Sequence, residues 1–132
     1  GSPGASAPAN GTPADPATTS TTVINGILAT VTNSGSLPRQ HHTLRVVSAR
    51  GDLAGQRELA WAADSGYAVG SARCTQNFRF NVDSPARVRP TLMLCWRTSP
   101  AKTVYTIAVD VDNRPSAAAS VAVLNQVWTS MH

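Results

Sequence analysis

Lysine is almost missing from this chain. Of its 11 basic residues only Lys102 is lysine, and against 7 acids they leave a net charge of +4. Surfaces that bind nucleic acid commonly mix lysine with aromatics that stack on bases, and aromatics are only 5% of the residues. Nucleic acid is therefore not an expected partner. No Gly-x-Ser-x-Gly elbow and no Gly-rich phosphate loop occurs, so the nucleophile of a hydrolase and the cradle of a nucleotide have no visible motif. Histidine is scarce too: His41 and His42 are adjacent and His132 is terminal. Adjacent side chains on a strand point apart and lack the i, i+4 spacing of a helical metal pair. A solvated pair ahead of a strand is the expected role, and neither metal nor cofactor is expected. Asp110 and Asp112, two apart at a strand end, could hold a cation, but a solvated turn is the preferred reading. No apolar run approaches the roughly 18 residues that span a bilayer.

Large apolar side chains are also missing from the first 22 residues, GSPGASAPANGTPADPATTSTT. Gly1-Ser2 reads as a cloning remnant. Ala, Pro, Thr, Ser and Gly bury too little surface to offset the entropy of ordering. Residues 1–22 are expected to be a disordered tether, and residues 23–132 a single domain with one modest core.

There are only two cysteines, Cys74 and Cys95. Two thiols are half of a structural zinc set. In a small domain behind a polar leader they favour a disulfide over two free thiols, and with it an oxidising compartment.

Val23–Thr32 and Thr43–Ala49 are rich in β-branched residues and read as two strands, with a turn over Asn33–Ser36, although Gly26 and the Ile27-Leu28 pair leave a short helix open for the first. Arg50-Gly51-Asp52 resembles an adhesion triplet, but Gly51 ends a strand and Asp52 suits an N-cap. A helix is expected over Leu53–Asp64, weakened by Gly55, and Tyr67–Ala72 reads as a connector. Three strands follow. Phe78, Phe80 and Val82 alternate with polar residues, Leu92, Leu94 and Trp96 with Met93, Cys95 and Arg97, and Tyr105–Val111 continues the pattern. Cys74 shares parity with Phe78, whereas Cys95 is opposite to Leu94. A bonded pair then places Cys74 in an entry loop or beside a bulge, and the loop is preferred here. Ser116 caps a closing helix in which Ala117, Val121, Leu124, Trp128 and Met131 form one stripe. Trp128 is expected between helix and sheet. The fold class is α+β, an antiparallel sheet packed by two helices.

Arginine supplies the candidate site. If Phe78 and Leu94 face the core, then Arg79, Arg87, Arg89 and Arg97 share the opposite face, where guanidinium forks suit carboxylates or phosphates. The plainer alternative is a solvated face that keeps the protein soluble.

The tether, the stretch LAWAAD, the strand and turn YTIAVDVDNRPS and the closing helix SVAVLNQVW together resemble the PsbP-like α/β/α sandwich. Within that fold they look most like the small actinobacterial envelope lipoproteins of the LpqN type. The cysteine pair and the lack of a Pro-x-Gly-Trp opening strand depart from that pattern. The resemblance implies a non-catalytic binding or accessory domain, extracytoplasmic and secreted or anchored to the cell membrane through a tether. Its expected partner is an envelope protein, a peptide or an anionic small molecule, and the domain itself is expected to be a monomer. The alternatives are a hydrolase with a site built from scattered residues, and a structural spacer.

Overall fold

A computed structural model describes residues 17–131 apart from 54, 55, 82 and 113. The chain builds a seven-stranded antiparallel sheet in the order β1 (Thr18–Ile24), β2 (Ile27–Ser36), β3 (His42–Ala49), β9 (Thr103–Asp110), β8 (Leu92–Thr98), β5 (Ala72–Thr75), β4 (Tyr67–Val69), beside a separate two-stranded sheet of β6 (Asn77–Phe78) and β7 (Arg87–Val88). One 14-residue helix, α2, packs on the large sheet. The α+β class and the antiparallel pairing are as expected, but several elements are not.

The first departure is a hairpin. β1 (Thr18–Ile24) and β2 (Ile27–Ser36) pair from Thr18↔Asn33 to Ile24↔Ile27. Asn25 and Gly26 make the two-residue turn with φ of 50° and 80°. Both angles are positive, which asparagine tolerates and glycine adopts freely, and this turn matches the twist of paired strands. The boundary of the expected tether is therefore corrected. Residues 18–22 are strand, stabilised by ladder bonds rather than by apolar anchors, while residues 1–16 lie outside the described residues. The turn expected at Asn33–Ser36 is also strand. The chain instead reverses through a short helix, α1 (Leu37–Gln40), capped by the Ser36 hydroxyl and closed by His41 in the left-handed region.

β3 (His42–Ala49) pairs with β9 (Thr103–Asp110), which lies at the sheet centre. β9 turns from β8 (Leu92–Thr98), and β8 carries β5 (Ala72–Thr75) and then β4 (Tyr67–Val69). The expected connector at 67–72 is thus the edge strand β4 and the first residue of its neighbour β5. β8 and β9 are buried on both faces, which explains their nearly unbroken apolar runs. Leu94, Tyr105 and Ile107 face one core with Val47, Leu53, Leu59 and Phe78. Met93, Cys95, Val104 and Ala108 face the other, with Val46, Cys74, Val121 and Leu124.

The helix expected over Leu53–Asp64 does not form. Only a 3-10 turn, Arg57–Trp61, is present there, and Gly55 falls outside the described residues. Tertiary bonds outcompete the local preference. The Leu53 N–H is taken by the buried Thr103 hydroxyl, and Ala63 N–H donates to Asn77 O while Arg79 N–H donates to Trp61 O. Asp52 consequently caps no helix.

Cys74 and Cys95 are directly opposite in β5 and β8, with Cα atoms 4.0 Å apart, and they are bonded. Cys74 therefore sits in a regular strand, not in an entry loop. The parity conflict disappears because the chain leaves the large sheet at Gln76. β6 (Asn77–Phe78) pairs only with β7 (Arg87–Val88), so Phe78 and Cys74 never share a strand. Phe80 lies outside any strand and is exposed, and Val82 is not among the described residues.

α2 (Ala117–Ser130) begins as expected, the Ser116 hydroxyl accepting from Ala119 N–H. Val121 and Leu124 are buried beneath it. Trp128 is at the rim, not inserted between the layers. Its ring lies between the Arg97 guanidinium, 4.2 Å from the centroid, and the Lys102 ammonium at 4.6 Å. Lys102 also donates to the carbonyls of Trp128 and Met131, satisfying and offsetting the negative end of the helix.

Candidate binding surface on the helix side of the sheet

The four candidate arginines are not on one face. Arg97 points to the helix side, where it stacks on Trp128 and donates to Asn125 Oδ1 at 3.2 Å. Arg79, Arg87 and Arg89 belong to the segment around β6 and β7, which covers the other side through Phe78. Arg79 Nε donates to Ser84 O, and Arg89 sits 5.3 Å from the centroid of Phe80. Arg87 is exposed on β7. The shift of the chain between sheets at Gln76 separates them, so the shared arginine face is corrected to a stack at the helix and a decorated flap.

The histidine pair does more than was expected of it. His41 Nδ1 meets Asp112 Oδ2 at 2.7 Å, Asp112 N–H donates to Asp110 Oδ1, and Val111 N–H donates to His41 O. These bonds tie the end of α1 to the loop after β9. The signal was present as two histidines and two aspartates near opposite ends of paired strands, but register alone reveals it. Among the described residues, no group of three or more His, Cys, Asp or Glu is placed to hold a metal ion.

Asp64 anchors the other end of the molecule. Its carboxylate accepts from the Thr75 hydroxyl, from Gly66 N–H and from Asn77 Nδ2. The hydroxyl of Thr75 is the main cause that holds its carboxyl below the usual range, against an opposing effect of desolvation and with help from Gly66 N–H and Asn77. This is a loop clasp, and it joins the 62–66 segment to β5 and β6.

What stands open is half of the sheet. Seven strands at roughly 4.8 Å spacing span about 29 Å, whereas a helix with its side chains is about 10 Å across. α2 packs chiefly on β8 and β9 and only marginally on β3. The helix-side residues of β1 and β2 are left uncovered: Thr19, Thr21 and Val23 opposite Thr32, Thr30 and Leu28. Val23 and Leu28 are cross-strand neighbours and remain 64% and 66% exposed. Two cavities lie on this side of the sheet. One, of about 520 Å³, lies among Leu28, Thr30, Ser48, Arg50 and Met131. The other, of about 310 Å³ and mostly apolar, lies among Leu44, Ala108, Pro115, Ala119 and Val123. The first is a groove floored by β2 and the end of β3 and bounded by Met131 at the end of α2, and the second lies between α2 and the β3–β9 pair. The sequence reading missed this groove because it ran the Asn25-Gly26 turn into a single strand. Asn-Gly between two β-branched runs is the signal that would have found it.

Compared with protein-family models, with curated proteins and with solved structures, the chain matches none.

Proposed function

We propose that this is a non-catalytic binding domain of an oxidising, extracytoplasmic compartment, and that its groove beside α2 holds an apolar segment of an envelope polypeptide. The observation that supports this reading is the uncovered helix side of β1 and β2. The floor on β1 and β2 carries no charge, Arg50 lines one cavity and Asp110 the other, and two apolar points, Val23/Leu28 and Leu44/Val123, lie beside hydroxyl side chains that can bond a partner's backbone. Apolar anchors within a polar rim are what a modest protein interface requires. An anionic small molecule is less well served, since Arg97 is engaged with Trp128 and Asn125. The buried Cys74–Cys95 bond supports the compartment. The sequence resemblance to small envelope lipoproteins of the PsbP-like fold supports an accessory role at the cell envelope, tethered to its membrane.

The test compares two arginine substitutions at exposed apolar positions. Leu28→Arg charges the groove, whereas Val88→Arg charges the distant β7 flap, where Val88 is also exposed. A partner captured from envelope extract by the parent and by Val88→Arg, but not by Leu28→Arg, supports the groove. Capture that is lost only with Val88→Arg refutes it.

A further inference from the structure

The large sheet ends in two very different edges. β4 is three residues long, whereas β1 runs for seven. Among the described residues no strand pairs with the outer side of β1. Such an edge is a template for another chain, and proteins usually blunt it with charge, proline, bulges or shortness. TTSTTVI has none of these. The absence of charge extends over residues 17–38, in a chain with 11 basic and 7 acidic residues.

Register then decides what the edge offers. Ile24 and Ile27 flank the two-residue turn and form a hydrogen-bonded pair. Counting back by twos, Thr22, Ser20 and Thr18 direct their backbone groups inward to β2. The groups directed outward are those of Thr19, Thr21 and Val23. This set is symmetric about Thr21.

We propose that β1 pairs antiparallel with β1 of a second copy of the chain, across a two-fold axis at Thr21. In this register Thr21 faces Thr21 of the copy, and Thr19 faces Val23, so every outward group is used in about six hydrogen bonds. Val23 then lies between Leu28 of its own strand pair and the Thr19 methyl of the copy. The isologous contact is closed, so it ends at two copies instead of growing into a fibre. Charge selects the second copy over other edges of contact. Two chains of +4 each repel, and the β1–β2 hairpin is a face where they meet without placing like charges together. One strand against its copy is smaller than the roughly 800 Å² per partner of a standard interface. Association is consequently weak and concentration-dependent, in place of the monomer that the sequence suggested. The proposal does not depend on the groove, because its contacts run through backbone groups that face away from α2 and β2.

Sedimentation of the full chain up to about 1 mM tests it. The parent is expected to associate reversibly to a dimer. Thr21→Pro removes an outward N–H, a change that edge strands tolerate, and Thr21→Lys adds the charge that protects natural edges. Each is expected to weaken association by at least about tenfold while thermal melts stay near the parent's. Thr21→Cys should cross-link to itself under oxidising conditions, because hydrogen-bonded pairs put Cα atoms about 5.5 Å apart, within disulfide range. Ser20→Cys should not, since it faces Thr22 of the copy. A parent that stays monomeric to the top of the range overturns the proposal, even if the edge captures an extended peptide from another protein. So does association that both Thr21 variants leave unchanged, or cross-linking that is no better at position 21 than at position 20.

Discussion

Two threonines on β9 should respond to the same substitution with opposite signs. Thr103 and Thr106 are both 0% exposed, and valine replaces each with nearly the same shape. Thr103 faces the core beneath the 50–53 loop. Its hydroxyl donates to Gly51 O at 2.8 Å and accepts from Leu53 N–H at 3.0 Å. Thr103→Val strands a buried amide and a half-buried carbonyl, each costing about 1–3 kcal/mol once its partner is gone. A loss of about 3 kcal/mol is expected. Thr106 faces the other core, between Val46 and Cys95 in the ladder. Its hydroxyl oxygen is buried without a hydrogen-bond partner, so folding already bears an uncompensated desolvation cost. Thr106→Val removes that cost and should raise stability by about 1 kcal/mol. Urea denaturation with a shared m-value measures both, the midpoints moving in opposite directions. Destabilisation by Thr106→Val of more than about 1 kcal/mol would refute the reasoning, since it requires a partner for a hydroxyl described as having none. Equal and small changes at both sites would refute the role given to Thr103 in fixing the loop.

Three further outcomes follow from the same contacts. Trp128→Ala should cost about 2–3 kcal/mol in denaturant melts, less than a fully buried aromatic, because the ring is half-buried and its remaining support is cation–π contact with Arg97 and Lys102; a change below about 0.5 kcal/mol would show that the stack contributes nothing. Unreduced protein should be lighter by two hydrogens in mass spectrometry, and reducing the bond across its 21-residue separation should cost about 3 kcal/mol on the chain-entropy model. Asp64 has its folded pKa lowered from 3.8, so its contribution is present above about pH 4 and is lost as pH falls through the folded value. Asp64→Asn should flatten the acid limb of a stability–pH curve, and an unchanged limb would count against the clasp.

The most legible parts of the fold were those governed by strict local patterns. β3, β8 and β9 appear where β-branched content and alternation placed them, and α2 begins at the expected Ser116 cap. The disulfide was legible from cysteine count and setting, though not its position in regular ladder. Local preference misled where tertiary partners were stronger. Leu53–Asp64 has acceptable helix composition, yet β6 takes the Ala63 amide, which a helix would give to Leu59 O, while Thr103 holds the Leu53 end and Arg79 the Trp61 carbonyl. A propensity of a few tenths of a kcal/mol per residue cannot resist buried hydrogen bonds worth about 1 kcal/mol each. The opening hairpin was missed for another reason. Thr18–Thr22 was judged by the apolar surface it could bury, but an edge strand of hydroxyl residues is held by its ladder to β2 and needs little burial of its own.

The candidate arginine face failed through a single step in the chain. Alternation assigns two residues to one face only while both remain in the same sheet. Cys74 and Phe78 are four apart and share parity, but Gln76 lies between two strands that belong to different sheets. Its side chain donates to Pro90 O at 2.9 Å, and its backbone carbonyl accepts from Arg89 N–H. Gln76 therefore anchors the returning strand of the flap just where the outgoing chain departs. No periodicity records such a departure, because the residues on each side keep their alternating character. The consequence reaches the site directly. With Phe78 folded under the flap, Arg79, Arg87 and Arg89 travel with it, and only Arg97 remains with α2. A guanidinium cluster is thereby replaced by an uncharged floor on β1–β2, and the chemistry to be sought in a partner changes from anionic to apolar.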